Sequence, residues 1–194
     1  AEPALSERVR GGILFPHERH LDPAAFGRAL HGRCLELGVE IVQDAPVQRV
    51  ETEGSRVAAV RGAGQCFDGD AFLLAAGAWS GPLSKAFGTS LPLRPGTGYS
   101  LDLPAFGLRR PTYLTEAKVA ATPLDDRLRL AGTMEFGGLE ESIDPGRVGA
   151  IARAPGAFFH DWPKPEKPQL GAGLRPMSPD GLPLIGRLGK LENA

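Results

Sequence analysis

Glycine and proline interrupt this chain so often that little of it can form long helices. They make up 26 and 18 of the 194 residues, and both favour turns and chain ends over the interiors of helices and strands. Between these interruptions, Val47–Glu53 and residues 56–61 alternate apolar and polar side chains, which indicates strands. The pattern predicts a mixed fold with many short strands and few helices.

The clearest helix is predicted between Asp22 and Leu37. Asp22 suits the N-cap and Pro23 suits the first helical position, where its missing N–H costs nothing. Gly38 suits the left-handed position that follows a helix. Four residues of this segment recur at helical spacing and predict one apolar face for packing. They are Phe26, Leu30, Cys34 and Leu37.

Strands are predicted on both sides of the middle of the chain. The mostly apolar stretch at 39–42, which contains Glu40, and the continuous apolar stretch at 72–76 are both predicted to be buried strands. The later part predicts three antiparallel strands, at 99–103, 113–122 and 128–136. A helix is predicted at 145–153 behind an Asp144 cap, and a proline-rich loop is predicted at 162–168.

Composition excludes several classes of function. The formal net charge is -1 and no run of Lys or Arg is present, which argues against a nucleic-acid partner. No apolar run approaches the roughly 20 residues of a membrane span, and the polar start predicts no signal peptide. Cys34 and Cys66 are too few for a disulfide framework. We expect both to be buried reduced thiols in a cytoplasmic protein.

Two kinds of site are not indicated by any motif. Three glycine pairs resemble the start of a dinucleotide-binding turn, but none has the third glycine, follows a buried strand and opens a helix. They are Gly62/Gly64, Gly96/Gly98 and Gly171/Gly173. His17 and His20 lack further ligands at matched spacing, so we predict no metal site.

Three segments stand out from this background. The apolar run at 72–76 ends in Gly77-Ala78-Trp79-Ser80, where small residues allow a flat ligand to approach or form an ordinary strand-to-helix turn. Arg175 is a single cation in an apolar segment that glycine and proline stiffen. It could hold a carboxylate with two parallel hydrogen bonds or form a structural ion pair. Tyr99 follows the rigid turn at 93–98 and enters a strand.

In this order and spacing, the three segments resemble the D-amino-acid oxidase type of FAD-dependent oxidoreductase. Glycine oxidase, sarcosine oxidase and bacterial D-amino-acid dehydrogenase are similar, and the resemblance runs from about Gly12 to Gly186. It implies an α+β fold, in which an antiparallel-sheet substrate domain joins an incomplete portion of an FAD-binding α/β domain. Residues 12–90 resemble the later part of the FAD domain, 91–168 the substrate domain, and 169–194 a return segment to the FAD domain.

The resemblance also implies site residues. In similar proteins the residues that lie along the FAD match Val47, Ala76, Gly77 and Trp79. The matching arginine, Arg175, holds the substrate carboxylate, and Tyr99 is a second candidate contact to the substrate. The sequence shows no counterpart of the family's glycine-rich turn, so we expect this chain alone to bind FAD weakly or not at all.

The implied activity is oxidation of the C–N bond of an amino acid or secondary amine that carries a carboxylate, by hydride transfer to flavin N5. No catalytic acid or base is assigned. A second hypothesis is that the chain is a truncated, non-catalytic binding or interaction module. The sequence leaves open which amine is oxidised, whether oxygen or a quinone accepts the electrons, and the oligomeric state.

Overall fold

The computed structural model of the protein describes residues 2–162 and 167–194. Three α-helices are formed: α1 at Pro23–Glu36, α2 at Ser80–Ser84 and α3 at Pro145–Arg153. The first four strands are β1 at Val47–Glu53, β2 at Arg56–Gly62, β3 at Gln65–Asp68 and β4 at Arg94–Pro104. The other four are β5 at Thr112–Leu114, β6 at Val119–Pro123, β7 at Arg127–Phe136 and β8 at Gln169–Met177. The predicted mixed α+β class is confirmed.

The chain divides into two compact units. Unit 1 contains residues 1–39, 97–135 and 141–173, and unit 2 contains residues 40–96, 136–140 and 174–194. The predicted assignment of cofactor and substrate roles to residues 12–90, 91–168 and 169–194 stays a prediction. The central part of the proline-rich loop predicted at 162–168 lies outside the described residues.

Strands β4 to β8 form one sheet with the order β5-β6-β7-β4-β8. Strand β6 pairs antiparallel with both β5 and β7, and Val119 lies opposite Leu114 on one side and Gly132 on the other. The single strand predicted at 113–122 is wrong. A turn at residues 115–118 divides it into β5 and β6, and Lys118 takes a left-handed φ of 55° there. The turn contains no glycine, proline or asparagine, so none of the usual turn-forming residues indicated it.

The core of unit 1 lies between its sheet and α3. Val148 and Ile151 of α3 pack among buried residues of the strands. The strand residues in this core are Tyr99, Leu101, Leu103, Leu114, Val119, Ala121, Leu128 and Leu130. Gly132 permits this close packing, because a Cβ atom there would lie 2.7 Å from the carbonyl oxygen of Lys118. The alternating apolar pattern of the strands therefore does bury one face of the sheet.

Helix α1 begins as predicted, but its apolar face is not packed. The Asp22 side chain accepts hydrogen bonds from the backbone N–H groups of Ala24, at 2.8 Å, and Ala25, at 3.3 Å. No residue of the helix is buried, and Phe26 is 55% exposed. The predicted burial of the Phe26–Leu37 face is therefore wrong within the described part of unit 1, where no apolar surface covers it.

A charged cluster joins the start of α1 to the sheet of unit 1. Arg127 donates from Nη2 to Asp22, at 2.5 Å, and from Nε to Asp102, at 3.0 Å. Arg129 adds two bonds of 2.7 Å to the same Asp102 carboxylate. The guanidinium of Arg129, followed by that of Arg127, lowers the pKa of Asp102. Because α1 buries no side chain, this polar cluster is its main attachment to the sheet.

Unit 2 contains a three-stranded antiparallel sheet, β1-β2-β3, in which Val50 lies opposite Val60. Its core is small and comprises Val57, Phe87, Leu188 and Leu191. The buried side chain of Asn193 accepts from the N–H of Val57, at 2.8 Å, and donates to its carbonyl, at 2.9 Å. An amide side chain thereby extends the hydrogen bonding of β2. No pattern in the sequence predicts this contact between Asn193 and Val57.

Two predicted buried strands are not formed. Residues 39–42 and 72–76 are irregular, and Leu73 is 90% exposed. A strand needs a neighbouring strand for its backbone hydrogen bonds, and neither segment has one among residues 2–162 and 167–194. Both segments were recognised from their apolar residues, but neither has a partner strand among the described residues.

The cysteine prediction is half wrong. Both cysteines are free thiols, as expected, but Cys66 is exposed on β3 and Cys34 is only partly buried on α1. Among the described residues, strand β3 pairs with β2 alone and so lies at an edge of its sheet, and this edge position explains the exposure.

Candidate functional site

The predicted cofactor contacts all lie in unit 2, and three of them share one turn. Residues 77–79 form a short 3₁₀-helix directly before α2, with Ala76 at its N-terminal end. The N–H of Trp79 donates to the carbonyl of Ala76 at 3.0 Å and closes the turn. The fourth residue, Val47, is a partly exposed residue at the start of β1.

This turn presents an accessible, mostly apolar surface. Gly77 has a φ of 54°, which side-chain-bearing residues rarely adopt. A Cβ built at Gly77 would meet no atom within 4 Å, so its neighbourhood is open. The Trp79 side chain is also partly exposed. These features suit van der Waals contact with a flat ring system.

The same residues do not suit a phosphate. None of Val47, Ala76, Gly77 and Trp79 carries a positive charge. An anion is usually held by cations or by several free N–H groups at the start of a helix, and the Trp79 N–H is already bonded within the turn. The turn therefore fits the ring portions of FAD and provides no pyrophosphate site.

Arg175 lies on β8, the edge strand of its sheet, where it is solvent-exposed. Within the described residues its guanidinium has no hydrogen bond and no ion pair. The structural ion pair that the sequence left open is therefore not formed with any of the residues that the structure describes. An arginine with all five N–H donors available can bind a carboxylate through two parallel hydrogen bonds.

Tyr99 lies on β4 in unit 1 and is only 2% exposed. Its hydroxyl donates a short hydrogen bond to the carboxylate of Glu135 on β7. That bond, with burial adding to it, raises the pKa of Tyr99. Arg147 of α3 binds the other oxygen of Glu135 at 2.9 Å. The phenol is thus held by a partner that the sequence did not indicate, because the two residues lie 36 positions apart.

A surface cavity of unit 2 lies away from these residues. It has a volume of about 700 Å³, and Lys85 and Lys190 are among its lining residues. None of the predicted site residues lines it.

The part of the chain that the structure describes contains neither a metal-binding cluster nor a membrane-spanning helix. Between residues 2–162 and 167–194, no group of three or more His, Cys, Asp or Glu side chains is placed to hold a metal ion. Over the same ranges, no helix has the length and apolar character needed to cross a membrane.

Comparison with known proteins supports the resemblance read from the sequence. Residues 1–193 match the DAO family, described as FAD dependent oxidoreductase. A D-amino acid dehydrogenase of Bradyrhizobium diazoefficiens is 35% identical over 192 residues, which are 95% of this chain and 46% of that protein. Another, from Methylobacterium radiotolerans, is 36% identical over 98% of this chain and 48% of its own length. The chain therefore belongs to the FAD dependent oxidoreductase family.

The fold is also found in a solved glycine oxidase structure. A glycine oxidase structure from Bacillus cereus matches with a TM-score of 0.87 and 21% identity, over 99% of this chain and 54% of that one. The predicted family, its enzymatic nature and its FAD dependence are confirmed at the level of the family. The non-catalytic alternative is not favoured by these matches. The chain spans about half the length of the curated relatives that it matches.

Proposed function

We propose that the protein to which this chain contributes oxidises the C–N bond of an amino acid, or of a secondary amine that carries a carboxylate. The family and its D-amino acid dehydrogenase relatives support this class of substrate. The observation that carries the proposal is the exposed guanidinium of Arg175, which has no partner among the described residues. We further propose that the substrate is a small molecule and that the protein acts in the cytoplasm, where free thiols such as Cys34 and Cys66 persist.

Arg175 binds the substrate carboxylate in this proposal. Its position on an edge strand leaves one side of the backbone without a neighbouring strand, so a ligand can approach. A bidentate contact fixes both the position and the rotation of the carboxylate. The carbon next to the carboxylate is then held in one orientation. Orienting the substrate is the main contribution of the protein to the chemistry of a redox cofactor.

When bound, FAD would supply the oxidising power, with its N5 as the acceptor of the hydride equivalent from the substrate Cα. The substrate loses a hydride from carbon and a proton from nitrogen and becomes an imine, which water hydrolyses. Val47, Ala76, Gly77 and Trp79 would hold ring portions of the cofactor through apolar contact. In domain terms, residues 12–90 and 169–194, which include Arg175, would belong to the FAD-binding domain, and residues 91–168 to the substrate-binding domain.

Tyr99 has a secondary place in this proposal. Its hydroxyl already donates to Glu135, and that carboxylate would repel the carboxylate of a substrate at close range. Tyr99 can contact the substrate through its ring edge, or through its hydroxyl after leaving Glu135. The binding of the negatively charged substrate carboxylate is therefore assigned to Arg175 alone.

Arg175→Leu tests the proposal in the FAD-loaded enzyme that contains this chain. A lost bidentate contact between charged groups costs on the order of 2–4 kcal/mol, or roughly thirty- to a thousand-fold in kcat/KM. We expect that loss for an amino acid and a much smaller loss for the matching amine without the carboxylate. Arg175→Lys should rescue activity only in part, because an ammonium cannot form the same fork.

The matched control is Arg187→Leu, which removes another exposed arginine of unit 2 whose Nη1 donates to the carbonyl of Glu192 at 3.3 Å. We expect it to leave the ratio of the two kcat/KM values unchanged. Equal losses for the amino acid and the amine in Arg175→Leu would assign Arg175 a structural role and end the carboxylate-binding proposal.

A further inference from the structure

The surface cavity of unit 2 is formed by three separate segments of the chain. They are Thr52 of β1, residues 85–89, which begin with the 3₁₀-helix Lys85–Phe87 after α2, and residues 189–191. Its volume of about 700 Å³ lies within the range of small-molecule sites, which is roughly 300–1,000 Å³. The cavity is therefore large enough for a small organic molecule, and no residue assigned above to the cofactor or the substrate lines it.

Two of the three segments meet at a glycine. Gly189 has a φ of 64°, which residues with a side chain rarely adopt. A Cβ atom built at Gly189 would lie 3.2 Å from the Cβ atom of Thr89. A larger residue at this position would push the segments apart, so the glycine sets the shape of the cavity.

Hydrogen bonds on both sides of residues 189–191 hold that segment in place. The N–H of Leu188 donates to the carbonyl of Ala194, and the N–H of Glu192 donates to the carbonyl of Ser55, both at 2.9 Å. A site that is held in position before binding loses less free energy in ordering itself around a ligand.

The cavity concentrates positive charge. The chain has five lysines, and two of them, Lys85 and Lys190, line this one cavity. Within residues 2–162 and 167–194, neither ammonium group has a hydrogen bond or an ion pair. The residues that line the cavity in this part of the chain include no carboxylate. Both cations are therefore available to a negatively charged ligand.

Two neighbouring carboxylates of unit 2 are already engaged. Glu192 accepts a hydrogen bond from the hydroxyl of Ser55 at 2.6 Å and lies 3.7 Å from the guanidinium of Arg56. Glu51 accepts from Nε of Arg61 at 2.7 Å. Because arginines balance these two carboxylates, the charge of the two lysines is retained.

The kind of cation indicates the kind of anion. A lysine ammonium is a compact charge with three donors and no preference for a planar carboxylate, and lysine is a common binder of phosphate. A phosphate monoester carries about −1.5 to −2 charges at pH 7, which the two lysines balance. Thr52 and Thr89 add hydroxyl groups that can donate to phosphate oxygens.

The remaining lining suits an organic group. Phe87 and Leu191 belong to the apolar core of unit 2 and also line the cavity. An apolar group that covers them removes apolar surface from water. Free phosphate offers no such group, so an ester with an apolar part uses more of the cavity.

We propose that this cavity binds a small phosphate monoester. The phosphate contacts the ammonium groups of Lys85 and Lys190, and the organic part lies against Phe87 and Leu191. The site is separate from the proposed oxidation, so either proposal can fail without the other.

Phenyl phosphate is the probe, and the protein is the FAD-loaded enzyme that contains this chain. Calorimetric titration at low ionic strength should give a dissociation constant below about 1 mM. Inorganic phosphate and phenol should each bind at least about tenfold more weakly, because each lacks one half of the ligand. Hydrogen exchange should slow in residues 85–89 and 189–191 when phenyl phosphate binds, which locates the site.

Charge-removing variants test the two lysines. Lys85→Gln and Lys190→Gln should each weaken the binding of phenyl phosphate about tenfold, because each removes a hydrogen bond between charged groups. The matched control is Arg49→Gln, which removes an exposed cation of unit 2 that does not line the cavity. It should change binding by no more than about threefold. All three side chains are exposed, so the variants should melt like the parent enzyme.

Three results would overturn the proposal. The first is that phenyl phosphate at about 10 mM does not bind. The second is that inorganic phosphate binds as tightly as phenyl phosphate, because the cavity would then be a site for the free anion. The third is that the lysine variants bind phenyl phosphate as tightly as Arg49→Gln does.

Discussion

Replacing Asp102 with asparagine tests the charged cluster that attaches α1 to the sheet of unit 1. The Asp102 side chain is 12% exposed, and its two oxygens accept bonds of 2.7, 2.7 and 3.0 Å from Arg129 and Arg127. Asparagine keeps one acceptor oxygen and turns an NH₂ group towards a guanidinium. Two arginines then lose a partner while remaining partly shielded from water.

The size of the effect follows from these contacts. A hydrogen bond to a charged group contributes about 1.5–3 kcal/mol, and removing one partner of a fully buried pair costs about 3–5 kcal/mol. Arg127 and Arg129 have side-chain exposures of 24% and 29%, so water recovers part of this loss. We expect Asp102→Asn to lower the free energy of unfolding of unit 1 by about 2–3 kcal/mol.

Urea unfolding measures this quantity in unit 1. Trp162 reports on unit 1, since its ring lies 5.0 Å from that of Phe106 and 5.4 Å from that of Phe159. Its fluorescence is isolated by making all proteins in a Trp79→Phe background. The control is Asp126→Asn, because Asp126 binds the same Arg127 at 2.9 Å but is 81% exposed. An exposed ion pair contributes about 0–1 kcal/mol, so the control should be nearly neutral.

The pH dependence provides a second check. The pKa of Asp102 is lowered from 3.8, chiefly by the hydrogen bonds from Arg129. A lowered pKa in the folded state contributes stability that is present above the unfolded pKa and is lost as the pH falls through the folded pKa. The difference between parent and Asp102→Asn should therefore be full at neutral pH and shrink below about pH 3.8. An equal loss in both variants, or a difference independent of pH, would refute the reasoning.

Two further predictions concern unit 2 and the cofactor. Asn193→Ala should lower the free energy of unfolding of unit 2 by about 2–4 kcal/mol, because it leaves the buried N–H and C=O of Val57 unpaired. Far-UV circular dichroism in urea measures this loss, and Glu192→Gln, at an exposed position, is the control. An unchanged unfolding midpoint in Asn193→Ala would contradict the prediction. The chain alone should bind FAD weakly or not at all, because the Ala76–Trp79 turn offers no pyrophosphate site. A flavin fluorescence titration giving a Kd below about 1 µM would show that another part of the chain holds the pyrophosphate.

The elements with local signals were predictable from the sequence. Asp22-Pro23 and Asp144-Pro145 each place a capping carboxylate before a proline, and each starts a helix within one residue of the expected position. Strands β6 and β7 also lie within predicted strands, and the turn between them contains the polar residues Asp125 and Asp126. Caps and turns depend on a few neighbouring residues, so sequence contains the needed information.

The elements that depend on distant partners were not predictable. The run at 72–76 has the composition of a buried strand, but pairing requires a second strand that unit 2 does not provide among its described residues. The apolar face of α1 likewise predicts burial without saying what buries it. The turn at 115–118 was not predicted, because the left-handed backbone conformation of Lys118 has no signature in the sequence.

The candidate site divides in the same way. The isolated charge of Arg175 in its apolar segment could be predicted from the sequence, and the structure leaves that charge without a partner among the described residues. The partner of Tyr99 could not be predicted from the sequence. Glu135 contacts Tyr99 from the strand β7, and Arg147 binds Glu135 from the helix α3. Such contacts arise only from the packed sheet.

Anaerobic reduction of the flavin tests the proposed oxidation most directly. The enzyme that contains this chain is loaded with FAD and mixed with a D-amino acid, and the loss of oxidised-flavin absorbance is followed in a single turnover. We predict that the amino acid reduces the flavin, that deuterium at Cα slows this step, and that Arg175→Leu slows it further. An oxidised flavin that no amino acid reduces, or a reduction rate indifferent to deuterium at Cα, would contradict the proposed transfer of hydride from carbon.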